Sequence, residues 1–373
     1  MGLLKSFLGI KEDRKNNTQA TSKIVTDYGN NVNVTINSDT PQDTKSTFKT
    51  KIQELIMIYS AEKFKVDENK YPDVLRSGYE IGFPNEVLRS LEKKGYIRRS
   101  TAAETLPNLK ATELKKIASA YDLKVSGKKD DLCSRISESL AEEQISQHVS
   151  ERYWKTTEQG KNLLNANPYI GFYLEKHEYD LNWIGLDIFK FAKLYNTPLN
   201  GTVRDRLWGE FNRLSIDYYT KGMNKGDFRD YCELLHIMAL FLKEEKRFKD
   251  SLDQYMRYLH YRANFQVALE ALQHYGLIGF VDNDAVVLTV GVEIMPYTAR
   301  EIIAISEGCG FDSSQLRSYM LDAFSKEKDT GIFSPQELTE LTMLGLNGDR
   351  EGQKKICVNV MKAAMKKLPK KKR

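Results

Sequence analysis

The sequence is poor in the residues that form metal centres and disulfide frameworks. The 373-residue chain contains only four cysteines, Cys133, Cys232, Cys309 and Cys357, and no pair of them has CxxC spacing. The five histidines are scattered and lack metal-ligand spacing. No apolar run has the length of a membrane span, and we expect no signal peptide because no cleavage site is recognisable. We therefore predict a cytoplasmic protein with reduced, buried thiols and no metal.

Motifs of enzyme chemistry are missing as well. The chain has no GxxxxGK[ST] phosphate loop, no GxGxxG after a strand, no GxSxG and no HExxH. Its acidic residues form no pair that differs from a solvated helix face. These absences predict a protein that is not an enzyme and needs no cofactor. A metal-dependent nuclease with ligands scattered along the sequence is the alternative that motifs leave open.

Apolar and charged residues are present in the proportions of a soluble globular protein, 41% and 29%. The length is sufficient for two or three domains. The formal net charge is only +5, so the protein as a whole is not a polycation. Affinity for nucleic acid would therefore have to come from a local basic patch.

Residues 109–140, here called the hairpin, combine two helical patterns with a short extended break. Apolar residues recur at helical spacing over residues 114–121 and again over 132–140. Between them, Leu123 and Val125 alternate with polar residues, as in an extended segment. Ser126 and Gly127 then predict a turn, in which glycine provides a positive φ and serine caps the second helix.

Basic residues surround this turn. A helix start attracts anions through its free N–H groups, and adjacent lysines add positive charge where a phosphate would lie. Contacts of this kind position a protein on a nucleic-acid backbone and carry little sequence information. The predicted nucleic-acid-binding residues are Ser126, Gly127, Lys128, Lys129 and Arg135, with Lys115, Lys116 and Lys124 extending the surface.

The hairpin resembles a SAP domain, a helix–extended–helix module of many DNA- and RNA-associated proteins. Its residues at the apolar, glycine and basic positions of that motif are Leu109, Leu114, Ile117, Leu123, Val125, Gly127, Lys128, Leu132, Arg135 and Ile136. Cys133 departs from the motif, which often has a larger or charged residue there. The resemblance implies binding to nucleic acid without enzymatic activity. The alternative is an ordinary helical hairpin whose lysines are only solvated.

The segments that flank the hairpin predict one supporting module. Residues 48–65 have the spacing of an amphipathic helix. The phrase LEKKGYIRR, which ends at Arg99, resembles the helix and strand that begin the wing of winged-helix modules. Residues 153–165 predict a further strand and helix, with Thr156 and Gln159 as a capping box. We expect these segments to pack together and display the hairpin, either as part of a binding module or as a plain scaffold.

Helical spacing dominates residues 168–368 and predicts an irregular all-α domain without a repeat. Residues 231–241 are apolar on most sides and predict a central helix, and residues 183–192 predict another buried helix. Ser334 begins a strong helix-start pattern. Residues 285–292 are β-branched and predict a strand or an extended connector. We expect the many aromatic residues of this region to form a core and not a base-stacking platform.

The two ends of the chain have their own patterns. Residues 1–47 predict a flexible segment with a short amphipathic start and one strand at 32–36. The last residues form an acid-free basic tail, which would bind nucleic acid or an anionic membrane by charge alone, or serve only for solubility.

We predict a mainly α fold, in which a small SAP-like helical hairpin is inserted in an N-terminal α module with a short β component. A larger irregular all-α domain follows. The predicted divisions are 1–47, 48–167 with the SAP-like part at 106–141, 168–361 and the tail 362–373.

The function that we predict is non-enzymatic binding of DNA, in preference to RNA, with low sequence specificity. The whole pattern resembles SAP-containing proteins of Gram-positive bacteria and their phages. The competing hypothesis is a protein-interaction scaffold. In that case the hairpin is structural, and the C-terminal helical domain binds a partner or a second copy.

Overall fold

The structure is a computed structural model that describes residues 42–195, 201–225, 227–263, 294–327 and 332–366. Over these residues the protein is mainly helical with one small two-stranded sheet, as predicted. The chain divides between Val203 and Arg204 into two compact units, an N-terminal unit and a C-terminal unit. The strand predicted at 32–36, the segment 285–292 and the basic end of the tail lie outside the described residues.

The N-terminal unit begins with a helix–helix–helix–strand succession. Its elements are α1 (Gln42–Ser60), α2 (Asp73–Ser77), α3 (Pro84–Lys93), β1 (Ile97–Arg99), α4 (Ala102–Thr105), α5 (Ala111–Ala120), α6 (Lys129–Ser139), α7 (Glu142–Ser146), β2 (Trp154–Thr156), α8 (Glu158–Asn165), α9 (Tyr169–Phe172), α10 (Glu178–Trp183) and α11 (Ile188–Lys193). Single turns of tighter helix follow α1 and α4, and a π-helical turn, Tyr173–His177, follows α9.

Helix α1 forms the centre of the N-terminal unit. Its apolar face, which includes Ile52, Leu55 and Ile56, is completely or almost completely buried. Helices α3, α8, α9 and α11 all pack against it. The amphipathic helix predicted at 48–65 is therefore confirmed as far as Ser60, whereas Lys65 forms a β-bridge with Tyr153. Residues beyond 167 share the core of this helix. The domain boundary at 167 stays a prediction, because contact between helices does not show which segments fold alone.

Strands β1 and β2 pair antiparallel and form a ribbon, with Ile97 opposite Thr156 and Arg99 opposite Trp154. Just beyond the ribbon, the Ser100 N–H donates to the Tyr153 carbonyl at 2.8 Å. Residues 101–152, which include the hairpin, thus leave and re-enter the supporting module at adjacent points. This confirms that the hairpin is an insertion between the two strands of the ribbon. The resemblance of LEKKGYIRR to a winged-helix module stays a prediction.

A close approach of two backbones fixes the ribbon to α8. A Cβ added to Gly160 would lie only 2.2 Å from the Tyr96 carbonyl oxygen. Thr157 caps α8 by accepting from the Gly160 N–H, and its hydroxyl donates to the Gly95 carbonyl at 2.6 Å. The capping box predicted at Thr156 was wrong, because α8 begins at Glu158 and its N-cap is Thr157. The Thr156 N–H donates instead to the carboxylate of Glu62.

An ion pair connects the ribbon to the insertion. The Arg98 guanidinium donates to both carboxylate oxygens of Glu104, at 2.6 and 2.7 Å. The hydrogen bond from Arg98, and after it the N–H of Thr101, lowers the pKa of Glu104 from 4.5 to about 2 against the opposing effect of burial. Glu104 also completes a capping box with Thr101 at the start of α4.

The C-terminal unit is all-helical in the described residues. Its helices are α12 (Val203–Lys225), α13 (Arg229–Glu244), α14 (Phe248–Tyr261), α15 (Pro296–Gly308), α16 (Ser313–Lys326), α17 (Pro335–Leu346) and α18 (Arg350–Lys366). Helix α13 packs along α14, as expected for a central helix. Tyr231, Tyr255 and Phe241 are buried, so the prediction that the aromatic residues form a core is confirmed for them. Ser334 caps α17 as predicted.

Two other expectations were wrong. Residues 183–192 do not form one buried helix, because Gly185 has a φ of +75° and separates α10 from α11. Trp183 is consequently 57% exposed. Only two of the four cysteines, Cys232 and Cys357, are buried, whereas Cys133 and Cys309 are half-buried.

We expect Gly160→Ala to destabilise the N-terminal unit by about 3 kcal/mol, because the new methyl group overlaps the Tyr96 carbonyl. Urea unfolding followed by far-UV circular dichroism measures the loss. Gly82→Ala is the matched control, since a Cβ at Gly82 would meet no atom within 4 Å. Equal unfolding midpoints for the two variants would contradict the close approach.

Replacing Glu104 by Gln is expected to make stability less dependent on pH in acid. A carboxylate whose pKa is depressed on folding stabilises the protein above its ordinary pKa, and this stabilisation is lost as the pH falls towards about 2. The difference in unfolding free energy between wild type and Glu104→Gln should therefore shrink from about pH 5 to pH 2. Urea unfolding across this range measures it. In an Arg98→Gln background, the difference in unfolding free energy that Glu104→Gln makes should be small at every pH. A large difference in that background would contradict the conclusion that Arg98 lowers the pKa of Glu104.

Candidate nucleic-acid interface

The hairpin has a core of its own. Leu114 and Ile117 of α5 pack with Leu132 and Ile136 of α6, and all four are buried. The two helical patterns of the sequence are thus confirmed as α5 and α6, which pack on each other. Because this face of each helix is occupied by the core, the polar residues lie on the opposite faces and in the connecting loop.

The core extends beyond the hairpin to the short helices on either side. Ile145 of α7 and Ala102 of α4 are buried in the same cluster. The carboxylate of Glu142 accepts from the N–H groups of Ala102 and Ala103 and so joins the start of α7 to the start of α4. The first and last helices of the inserted module, α4 and α7, are therefore in contact near the point where the module joins the ribbon.

The connecting loop, residues 121–128, turns at the predicted glycine. Gly127 has a φ of +126°, which side chains rarely adopt, so the prediction of a positive φ is confirmed. Its Cα also packs closely on α6: a Cβ there would lie 3.1 Å from Asp131 Oδ2 and 3.7 Å from Arg135 Nη2. The backbone conformation therefore favours glycine at this position, and a side chain there would in addition crowd Asp131.

The prediction that Ser126 caps the second helix was wrong. Helix α6 begins at Lys129, and its N-cap residue is Lys128. The carboxylate of Asp131 accepts from the Lys128 N–H at 2.9 Å. Asp130 and Asp131 both lie in the first turn, where carboxylates complement the positive end of the helix. The start of α6 is therefore already occupied by negative charge, which leaves its N–H groups less suited to an added anion than the sequence pattern predicts.

Arg135 is directed at the connecting loop. It is half-buried, and its Nη1 donates to the carbonyl oxygens of Lys124 and Ser126, the second at 3.2 Å. Gly127, Asp131 and Arg135 are four residues apart and share one side of α6 and its entry. The two charged side chains thus bind three backbone groups of the loop.

The predicted lysines differ from Arg135 in their surroundings. All five are exposed: Lys115, Lys116, Lys124, Lys128 and Lys129. In the described part of the chain, none of them has a carboxylate within ion-pair distance. Asp130 and Asp131 are adjacent in sequence but form no ion pair with the lysine ammonium groups there. The structure places three of the lysines at or next to the loop and two on α5.

The surface around these lysines is not aromatic. Val125 is 43% exposed and lies between Lys124 and Ser126. Tyr121 is half-buried, and its ring packs edge-on against His148 at 5.6 Å between centroids. The described hairpin thus offers exposed ammonium groups and one small apolar side chain, but no free aromatic face.

The cations of the ribbon have a different environment. Arg98 pairs with Glu104, Arg99 with Glu92 at 3.0 Å, and Lys155 with Glu62 at 3.1 Å. Every cation of the two strands is therefore neutralised by a carboxylate of a neighbouring element. The lysines of the predicted site, which have no ion pair among the described residues, thus differ from the paired cations of the ribbon.

Two acidic residues that contact the backbone of the inserted module are absent from the predicted site. Asp131 lies three residues after Lys128, which is the spacing of a capping box, so the sequence carries a local signal for its contact. Glu142 has no such signal, because its partners, Ala102 and Ala103, lie about forty residues earlier in the chain.

Neither a metal cluster nor a membrane helix is found in the described ranges. No group of three or more His, Cys, Asp or Glu side chains there has an arrangement that could hold a metal ion. None of the helices in those ranges combines the length and apolar character that crossing a bilayer requires.

Comparison with known proteins identifies one segment. Residues 105–141 match the SAP domain family. This range begins within α4 and covers α5, the connecting loop and α6. No curated protein and no solved structure matched the chain. The chain therefore contains a segment of the SAP domain family, inserted in a helical module through the ends of a two-stranded ribbon.

Proposed function

We propose that the protein binds DNA, in preference to RNA, through the phosphate backbone and with low sequence specificity. The ligand is held by the side chains of Lys124, Lys128 and Lys129 at the connecting loop, with Lys115 and Lys116 of α5 extending the surface. It acts by binding alone, without catalysis and without a cofactor. Proteins of Gram-positive bacteria and their phages are the group that its sequence pattern resembles.

The observation that carries the proposal is the contrast between exposed, unpaired lysines and paired ribbon cations. An ammonium group already held by a carboxylate has less to gain from a phosphate. The lysines of the hairpin have no such partner among the described residues. They can therefore exchange their counterions for phosphates, which is the main source of non-specific affinity for nucleic acid.

Low sequence specificity follows from the chemistry of the surface. Lysine acts as a point charge towards phosphate, whereas base recognition needs groups that reach base edges in a groove. Sequence-tolerant binding of single strands commonly uses aromatic stacking. Because Tyr121 is packed against His148, the hairpin favours a duplex backbone over unstacked bases.

A second function is supported by the C-terminal unit. Ile216 on α12 is 69% exposed, and Met295 and Tyr297 at the start of α15 are about half-exposed. Exposed apolar side chains of this size are suited to contact a protein partner or a second copy. They are not grouped only there, since Phe83 and Trp183 of the N-terminal unit are exposed as well. We therefore rank partner docking second.

We expect Lys128→Gln/Lys129→Gln to weaken binding to duplex DNA by about tenfold or more and to reduce its salt dependence. If each lysine contacts one phosphate, the slope of log K against log salt becomes less steep by about 0.9 per lysine. Fluorescence anisotropy with labelled duplex DNA, single-stranded DNA and RNA across a salt series measures both quantities.

The matched control is Lys51→Gln/Lys63→Gln, which makes the same change in net charge at exposed lysines of the same unit. A chain that ends at Leu368 tests the basic tail separately. Equal losses in the two lysine variants, or loss only on removing the tail, would make binding a general charge effect. Absence of binding by the wild type would overturn the proposal in favour of a protein partner.

A further inference from the structure

Asp131 and Arg135 are side chains of α6 that form hydrogen bonds with the backbone of the connecting loop. Asp131 accepts from the Lys128 N–H at 2.9 Å, and Arg135 donates to the carbonyl oxygens of Lys124 and Ser126. Gly127 lies against both side chains. Two of these bonds end on the backbone of the predicted phosphate-binding lysines Lys124 and Lys128. The third ends on Ser126, which lies two residues from each of them.

We infer that Asp131 and Arg135 are positioning residues, which hold the loop so that Lys124, Lys128 and Lys129 project together towards one ligand backbone. This inference rests on the proposed function and deepens it by separating the residues that touch phosphate from those that hold the loop. Arg135 was predicted from the sequence as a phosphate contact, and the inference assigns it a different role.

The argument from geometry begins with the guanidinium. An arginine that contacts phosphate presents its planar fork to the ligand, often through two parallel N–H donors. Here Nη1 donates to two loop carbonyls, and the side chain is half-buried. The two carbonyl groups belong to an irregular loop and to no helix or strand. Hydrogen bonds from the side chain satisfy them and thereby order the loop.

Charge gives a second argument. Simple electrostatics predicts that an acidic residue next to the lysines weakens binding, so that removing Asp131 should tighten it. The hydrogen bond from the Lys128 N–H to Asp131 predicts the opposite, that removing Asp131 weakens binding. The apparent affinity falls in proportion to the fraction of molecules whose loop keeps the binding conformation. The sign of the effect therefore distinguishes the two roles.

The test uses the full chain, duplex DNA and two pairs of variants. Asp131→Ala should bind about fivefold more weakly if the loop then spends about a fifth of its time in the binding conformation. Asp131→Asn keeps an acceptor for the Lys128 N–H and should restore most of the affinity. Arg135→Lys keeps the charge but not the fork, and it should be as weak as Arg135→Gln.

The salt dependence provides a readout that a phosphate contact would change. Arg135→Gln should leave the slope of log K against log salt as it is in the wild type, whereas loss of one phosphate contact makes the slope less steep by about 0.9. Lys128→Gln is the internal reference for such a loss. Far-UV circular dichroism checks that each variant is folded.

Hydrogen–deuterium exchange of residues 121–129 tests the positioning role without any nucleic acid. Faster exchange in Asp131→Ala and Arg135→Lys, together with weaker binding at an unchanged slope, supports the inference. Wild-type affinity in Arg135→Lys with a shallower slope in Arg135→Gln overturns it, as does unchanged exchange in both loop variants. If the wild type binds no nucleic acid, the proposed function fails, and the exchange result still decides whether the two side chains hold the loop.

Discussion

Antiparallel pairing of β1 with β2 is the constraint on which the N-terminal unit depends. The pairing brings Ser100 and Tyr153 together, so the chain leaves the supporting module and returns to it at one place. An insertion with adjacent ends adds little strain to its host, because the host backbone continues almost as if the insertion were a turn. The inserted module then needs its own core, which α4 to α7 provide.

The supporting ribbon and the inserted module differ in how their charged side chains are paired. On the ribbon, opposite charges of neighbouring elements are brought together, and the Arg98–Glu104 pair does so across the junction with the insertion. Exposed pairs of this kind contribute little to stability. Because the two opposite charges largely cancel, they also exert only a weak electrostatic attraction on a charged ligand. In the inserted module, Asp131 and Glu142 accept from backbone N–H groups instead, those of Lys128 and of Ala102 and Ala103. The lysines there stay without carboxylate partners in the described structure.

The sequence predicted the helices, the inserted hairpin and the turn glycine, because each depends on spacing or on a backbone requirement within a few residues. Gly127 is such a case, since positive φ is a local property. The N-cap of α6 and the contacts of Arg135 were not predictable in the same way. Which residue caps a helix depends on where its first turn begins, and what a guanidinium contacts depends on the path of a loop nine to eleven residues away. The break at Gly185 was likewise hidden by apolar spacing that continues through it.

The acidic residues of the hairpin explain how a segment with seven basic and five acidic side chains can still present a basic surface. At physiological ionic strength charges are screened over about 8 Å, so local arrangement matters more than the sum. Asp131 lies at the start of α6 and Glu113 at the start of α5, and each accepts from the N–H of its helix's N-cap residue. Their negative charge is thus balanced in part by the positive ends of the two helices. The lysine side chains near these helix starts are exposed, so under the proposed function their ammonium groups are accessible to a phosphate.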